Sequence, residues 1–228
     1  MNNILTIFAR EPVAGRTKTR LCPPFDGASA AALYACFLRD VCAMAAGLPG
    51  VQALIAHTPE SNPAFFQQFV PGMPVRPQCG ATLGERMDDA LRQALAEMPA
   101  SAVLIGSDSP DLPAAFIHHA FAQLAAGSDL VLGPASDGGY YLIGTREPQP
   151  RLLYEVPMST PTVLADTLAI AQQLNLRVDL LPTWHDVDTA GDVWALEQRL
   201  RDAPAAAAPA TRRFLAQHRV THASMVQL

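Results

Sequence analysis

The chain has 228 residues, a formal net charge of −5 and a hydrophobic share of 50%. This is the composition of an ordinary globular protein that can bury a sizeable core. A nucleic-acid-binding protein would usually show a basic excess or a basic stripe, and the sequence has neither. We therefore expect a small ligand and no nucleic-acid partner. The four cysteines form no CxxC pair and no zinc-ligand spacing, which argues against a structural zinc site.

The first ten residues contain only a short apolar run, without the long apolar segment and cleavage site of a signal peptide. No run reaches the roughly 18 apolar residues that a membrane span needs. The sequence therefore predicts a cytoplasmic enzyme with no membrane partner. It leaves the oligomeric state open.

Strands and helices alternate along most of the chain. In chain order, hydrophobic periodicity predicts a strand at 4–9, a helix at 29–46, a strand at 51–57, a helix at 62–69, a strand around Val75, a helix at 84–98, a strand at 102–105, a helix from Pro113, strands at 129–132 and 140–144, a helix at 159–174, a strand at 177–181 and a helix at 190–201. This alternation predicts an α/β fold, with a mostly parallel sheet between two layers of helices.

One domain is predicted over residues 1–202. Residues 203–210 are a low-complexity run of alanine and proline that is typical of a linker. We therefore predict that residues 203–228 are a linker and a C-terminal tail, with at most one short helix.

The loop after the first strand carries four cations within eleven residues of an acidic chain. Ligands of open parallel sheets bind at the carboxyl ends of the strands, so this loop is well placed to wrap a di- or triphosphate. It is neither a Walker loop nor a GxGxxG fingerprint, and the alternative is a solvated surface loop. The candidate phosphate-binding residues are Arg10, Gly15, Arg16, Thr17, Lys18 and Arg20.

The strand at 102–105 is entirely apolar and leads directly to Asp108. A carboxylate at that point is suited to Mg²⁺ or Mn²⁺, which take oxygen ligands and leave positions for phosphate oxygens. Asp111 follows in the same loop and is either a second ligand or the cap of the next helix.

A second acidic segment follows the last strand. Asp186 and Asp188 lie where a further metal ligand would be needed, and we predict that they serve as metal ligands. The structural alternative is that Asp188 or Thr189 caps the helix that follows.

Two further segments are candidates for the donor and the acceptor. Asp137, followed by Gly138 and Gly139, is suited to a sugar or acceptor hydroxyl, because glycines allow close approach to the backbone. Gly84 and Arg86 open a helix whose first amides suit a base or a phosphate.

Five motifs in this order resemble a bacterial family of uncharacterised glycosyltransferase-like proteins: FAREPVAGRTKTRL, LGERM, IGSDSPDLP, LGPASDGGYYLIG and DVDTAGD. That family belongs to the nucleotide-diphospho-sugar transferase superfamily, which has the glycosyltransferase-A fold. More distantly, the chain is similar to the guanylyltransferases that build molybdenum-dinucleotide and phospholactate cofactors. The resemblance covers residues 4–201.

The resemblance implies a three-layer, Rossmann-like α/β/α sandwich with a mixed sheet in which one late strand is antiparallel. It also implies that Lys18 neutralises donor phosphates and that Asp108 takes the role of the metal-binding acid, so these two are the candidate catalytic residues. The segment around Asp108 has one of the two acids of the usual DxD motif, which shifts weight to Asp186 and Asp188 as ligands.

The sequence thus predicts a Mg²⁺- or Mn²⁺-dependent transferase that acts on a nucleotide donor and a small acceptor. Nucleotidyl transfer from a nucleoside triphosphate and glycosyl transfer from a nucleotide-sugar both remain open. A non-catalytic nucleotide-binding or regulatory protein is the alternative outside the enzymes.

Overall fold

The computed structural model describes residues 3–96 and 101–218. Within them the strands are β1 Asn3–Ala9, β2 Val51–His57, β3 Val75–Pro77, β4 Ser101–Ile105, β5 Leu130–Pro134, β6 Tyr140–Thr145 and β7 Val178–Leu180. The helices are α1 Gly27–Ala46, α2 Pro63–Phe69, α3 Leu83–Ala96, α4 Ala114–Ala125, α5 Arg151–Tyr154, α6 Val163–Gln173, α7 Ala190–Asp202 and α8 Pro209–Gln217.

The strands form one mixed sheet in the order β3-β2-β1-β4-β6-β5-β7. All adjacent pairs are parallel except those of β6, which is antiparallel to β4 and to β5. Strands β4 and β5 are buried along their whole length, as expected of apolar strands covered by helices on both faces. This is the mixed, mostly parallel sheet that the sequence predicted, with one antiparallel strand late in the chain.

Two local predictions differ from the structure. The predicted helix over 159–174 begins only at Val163, because Ser159 has a left-handed backbone with φ of 65° and proline occupies position 161. Helix α5 was not predicted, since four residues are too few to show a helical period. The last two residues of the predicted helix 84–98 lie outside the described residues.

Helix α1 is long and apolar enough to span a membrane by length and composition alone. Here it packs against the sheet and α8, with Leu33, Phe37 and Leu38 fully buried. It also places Tyr34 beneath the carboxyl edge of the sheet, where the candidate site lies.

Helix α8 lies in the segment that the sequence assigned to a linker and tail. Its Phe214 and Leu215 belong to the same core cluster as residues of α1 and α7. The buried carboxylate of Asp40, on α1, accepts hydrogen bonds from the Ala210 and Thr211 amides at distances of 2.9 and 2.8 Å. These contacts give α8 a defined place on the fold, because a helix N-terminus leaves amide donors to be satisfied.

Candidate functional site

A cleft of about 790 Å³ opens at the carboxyl edge of the sheet. This volume is within the range of small-molecule sites. Most of the candidate residues from separate sequence motifs line it: Arg10, Arg20, Arg86, Asp108, Asp137, Gly139, Asp186 and Asp188. The parallel strands β1 and β4 bring the basic loop and Asp108 together, because their carboxyl ends share one edge.

Lys18 lies directly behind two of the acids that line this cleft. Its Nζ lies 2.7 Å from Oδ1 of Asp108 and 2.7 Å from Oδ1 of Asp188. The lysine side chain is only 7% exposed, whereas the two carboxylates are 41% and 44% exposed. One buried cation therefore holds together two acids that remain accessible to a ligand.

Two features show that Lys18 is held in place. Its backbone is left-handed, with φ of 53° and ψ of 41°, a strained conformation for a residue other than glycine. Burial by itself lowers the pKa of the ammonium, but Asp108 and Asp188 outweigh it, and the pKa is raised. The Lys18 side chain is therefore protonated at neutral pH.

The segment that carries Asp186 and Asp188 is joined to the loop after β4. The Val187 amide donates to the carbonyl oxygen of Asp108 at 3.0 Å. Thr189 forms a capping box with Asp192 at the start of α7. Since Thr189 caps the helix, the side chain of Asp188 is left to face Lys18.

Asp111 is neither a helix cap nor a ligand in this arrangement. Helix α4 has no side-chain cap, and the Asp111 carboxylate is 3% exposed and accepts from Nε of Arg199 at 2.8 Å. This ion pair attaches the loop after β4 to α7, the helix that follows Asp188.

Asp186 is the most buried of the three predicted metal ligands. Burial raises the pKa of its carboxyl to about 6. The Ser109 hydroxyl, which donates to Oδ1 at 2.6 Å, opposes this shift, while nearby Asp108 and Asp137 add to it. Asp186 therefore carries an energetic cost in its charged form.

Because the charged form of Asp186 is costly, the effect of Asp186→Asn on stability should depend on pH. The folded-state pKa of about 6 exceeds the ordinary value of 3.8, so wild-type stability falls as pH rises through the window between them. An asparagine can still accept from Ser109 but has no charge to bury. We expect the metal-free variant to gain up to about 3 kcal/mol relative to wild type at pH 7, and almost nothing at pH 3.5. Urea unfolding in EDTA at both pH values measures the difference; an equal gain at both would contradict this assignment.

The described residues contain no group of three or more histidine, cysteine, aspartate or glutamate side chains arranged to hold a metal. Asp108 and Asp188 nevertheless already converge on one cation, the Lys18 ammonium. Two carboxylates fit Mg²⁺ that completes its shell with water and substrate phosphates, which is its usual mode of binding. The donor set therefore fits a phosphate-supported metal rather than a closed protein cage.

The remaining candidate residues of the basic loop are Gly15, Arg16 and Thr17. Thr17 is buried, accepts from the Val13 amide at 3.1 Å and donates to the Glu11 carbonyl at 3.0 Å, so its hydroxyl shapes the loop instead of facing the cleft. Gly15 has φ of 73°, and Arg16 beside it is exposed and does not line the cleft. As placed, none of these three residues lines the cleft.

Gly84 and Gly138, which lie beside the cleft, have a role in packing that the sequence did not indicate. A Cβ on Gly138 would lie 2.0 Å from the carbonyl oxygen of Pro161, and one on Gly84 would lie 1.9 Å from that of Leu153. Both glycines therefore allow close approach of other protein segments. Gly139 lines the cleft, and its amide donates to the side chain of Asp137 at 3.0 Å.

Sequence reasoning missed Tyr34, which lies inside an apolar helical pattern and resembles an ordinary core residue. Its hydroxyl accepts from the Arg10 amide at 3.1 Å and lies 2.7 Å from Oγ of Ser107. Burial raises the pKa of Tyr34 to about 12. Tyr34 thus joins the loops after β1 and β4 through a neutral hydroxyl, and Lys18 Nζ lies 5.9 Å from its ring centroid.

Gln78 and the segment from Met158 to Pro161 were also missed, although they line the cleft. Gln78 follows β3 and is 5% exposed, and its Nε2 donates to the Ala56 carbonyl at 2.8 Å. The two prolines at 157 and 161 were the available signal that this segment is a loop.

The family model described as an uncharacterized protein conserved in bacteria (DUF2064) matches residues 41–160. No curated protein matches the chain at a significant level. Among solved structures, a proposed nucleotide-diphospho-sugar transferase from Desulfovibrio desulfuricans G20 is 30% identical, with a TM-score of 0.88 over 99% of this chain and 97% of that one.

Two more distant structures share the fold alone. Molybdopterin-guanine dinucleotide biosynthesis protein A from Archaeoglobus fulgidus is 13% identical, with a TM-score of 0.55 over 88% of this chain and all of that one (100%). Glucosyl-3-phosphoglycerate synthase from Mycobacterium tuberculosis is 12% identical, with a TM-score of 0.53 over 87% of this chain and 76% of that one. Since the family model spans more than half of the sequence, the chain belongs to the bacterial DUF2064 family, with a nucleotide-diphospho-sugar transferase fold.

Proposed function

We propose that this protein is a divalent-metal-dependent transferase that binds the phosphates of a nucleotide donor in the cleft. One observation carries the proposal: buried Lys18 bridges the accessible carboxylates of Asp108 and Asp188, with Arg10 and Arg20 exposed beside them. Fixed positive charge next to paired acids is the arrangement that phosphoryl and diphosphate chemistry needs. The two distant structures, one of a molybdopterin-guanine dinucleotide biosynthesis protein and one in complex with Mn²⁺ and UDP, support the same class of ligand. We expect it to act in the cytoplasm.

The order of the strands suggests how the donor lies. Strands β2 and β3 are on one side of β1, and their ends bring Thr58 and Gln78 to the cleft. Because the Gln78 amide nitrogen is held by Ala56, its amide oxygen is left to accept a hydrogen bond from a base. Leu83 and Arg86 complete this end of the cleft. The phosphates then extend from the base towards Arg10, Arg20 and Asp108.

Mg²⁺ or Mn²⁺ would be held by Asp108 and Asp188, with Asp186 as an adjacent acid, and would supply neutralisation of charge on the donor phosphates. Arg10 and Arg20 provide charge-assisted hydrogen bonds to the phosphate oxygens. Lys18 keeps the acids in position and provides a fixed positive charge for the developing negative charge.

Two reactions suit this arrangement. In nucleotidyl transfer, an acceptor phosphate oxygen attacks the α-phosphorus of a nucleoside triphosphate, and the bond to the leaving pyrophosphate breaks. In glycosyl transfer, an acceptor hydroxyl attacks the anomeric carbon of a nucleotide-sugar, and the nucleoside diphosphate leaves as the acceptor loses its proton. The basic loop favours the first reaction, because it offers cations to a triphosphate. The 30% identical relative, a proposed nucleotide-diphospho-sugar transferase, favours the second.

Binding measurements distinguish the two reactions. If the loop serves a triphosphate, each extra phosphate oxygen facing Arg10 or Arg20 adds a bond worth about 1.5–3 kcal/mol. We then expect the triphosphate with Mg²⁺ to bind at least about tenfold more tightly than the matching diphosphate. Isothermal titration with the triphosphate, diphosphate and nucleotide-sugar of each base, with Mg²⁺ and with EDTA, measures this.

The other outcomes are equally specific. Preference for a nucleotide-sugar, with tight binding of its diphosphate, would replace nucleotidyl transfer by glycosyl transfer. Nucleotide binding that is the same in Mg²⁺ and EDTA would indicate the non-catalytic alternative. If no nucleotide of any base is bound, the proposed function is wrong.

A further inference from the structure

The charged cleft continues into an apolar slot on one face of the sheet. The slot lies over β1, β4 and β6, between α3 and the segment before α6. Its walls are apolar side chains that line the cleft and pack in a single cluster: Phe8, Met87, Leu104, Ile143, Met158 and Val163. The slot and the charged centre are therefore parts of one cavity.

The slot is on the opposite side of β1 from the proposed base end. Thr58 and Gln78 follow β2 and β3, whereas Leu104 and Ile143 belong to β4 and β6. Asp108 follows β4, the strand that carries Leu104, and therefore lies next to the slot. A donor whose base lies at β2 and β3 and whose phosphates reach Asp108 would leave the slot to the second substrate.

The loop that forms the outer wall of the slot has a fixed and strained shape. Ser159, next to Met158, has φ of 65°, and strain of this kind persists where the surroundings determine the backbone. The Leu164 amide donates to the Gly138 carbonyl at 3.0 Å, and Gly138 lies directly against Pro161. These contacts attach the loop to the turn between β5 and β6, so the slot is preformed.

The slot also has an adaptable lining. Met87 and Met158 contribute two unbranched thioether chains, which adjust to the shape of a bound group. Asp137 and Asp186 line the same cavity and can accept a hydrogen bond from a hydroxyl at the polar end of a ligand whose body fills the slot.

We propose that the slot binds the body of the acceptor, and that the acceptor is a small amphipathic molecule with a compact apolar group next to its attacking phosphate or hydroxyl. The identity of the other substrate rests on the proposed function. The existence of the slot and its preference for an apolar group do not depend on that function. We expect the slot to favour an apolar ring over a sugar ring, because its six wall side chains are apolar and the hydroxyl of Tyr140, which also lines the cleft, already contacts the Met158 sulfur at 3.9 Å.

The test compares phenyl phosphate with glucose 1-phosphate, and benzyl alcohol with glucose, by isothermal titration. We expect the aryl compound of at least one pair to bind about tenfold or more tightly than the sugar. In Met158→Gln, which places an amide in the wall, this preference is expected to fall below about threefold. Met73→Gln, a half-buried methionine outside the cleft, is the matched control and should keep the wild-type preference.

Titration of the same three proteins with nucleotide and Mg²⁺ separates the two proposals. Aryl preference that is lost in Met158→Gln supports the slot even if no nucleotide binds, in which case only the proposed function fails. Sugar preference, absence of any preference, absence of binding by all four probes, or an aryl preference that survives Met158→Gln would overturn the slot. Loss of the preference in Met73→Gln as well would overturn it too.

Discussion

Lys18→Ala is expected to lower kcat by about 100–1,000-fold, the usual scale for removing one preorganised electrostatic stabiliser. The structure adds a second reason, because Asp108 and Asp188 would then face each other without the cation that lies 2.7 Å from both. Lys18→Arg should restore activity only in part, since a planar guanidinium differs from an ammonium in size and geometry, and the lysine side chain is only 7% exposed.

Turnover of the donor and acceptor found by titration measures this effect. Arg146→Ala is the control of matched charge, because Arg146 forms a partly exposed pair with Asp129 at the opposite edge of the sheet. Activity of Lys18→Ala within about threefold of wild type would show that the basic loop is ordinary surface.

The sequence makes a direct check of the Lys18 environment possible. Lys18 is the single lysine among the 16 basic residues of the chain. Selective isotope labelling of lysine therefore gives one side-chain signal. The pKa read from its titration should exceed the ordinary 10.5, and in Asp108→Asn it should fall, because one of the two neighbouring charges is removed.

Asp108→Asn is expected to abolish the Mg²⁺-dependent part of nucleotide affinity and, with it, turnover. The substitution keeps the shape of the side chain but removes the charge that would bind the metal. The fold should persist, because the side chain is 41% exposed and the link from the Val187 amide uses the backbone carbonyl. The ratio of nucleotide affinity in Mg²⁺ to that in EDTA should therefore approach one, with little change in the thermal midpoint.

Asp202→Asn, an exposed acid at the end of α7, is the control and should retain the wild-type ratio. A normal ratio and normal turnover in Asp108→Asn would reject Asp108 as a metal ligand. Loss of secondary structure in that variant would instead show that its charge is needed for folding; Asp188→Asn, equally exposed, then provides the second test of the same metal site.

The network around Tyr34 shows why the contacts at the centre of the site could not be predicted from local sequence pattern. Tyr34 has the spacing of a core position on α1, and only the packing of that helix brings its hydroxyl to Arg10 and Ser107. The same holds for the inward direction of Lys18, which depends on a left-handed backbone and on an acid 170 residues away along the chain.

The sequence by itself determined the alternation of strands and helices, and therefore which loops share the carboxyl edge of the sheet. Continuous apolar runs such as β4 mark buried parallel strands. The residues just after them, Arg10 and Asp108, were predicted as candidate site residues for that reason, and both line the cleft. Hydrophobic periodicity is a local property, so it can be read without knowing the partners of a segment.

Only the tertiary structure decided what depends on distant partners. Three such features join residues that are far apart in the chain. They are the insertion of β6 between β4 and β5, the ion pair of Asp111 with Arg199, and the close approach of Pro161 to Gly138. The apolar slot arises in the same way, because its walls come from three strands, two helices and a loop. Pairing, burial and cavities result from packing between segments, and a local pattern carries no information about which segments will meet.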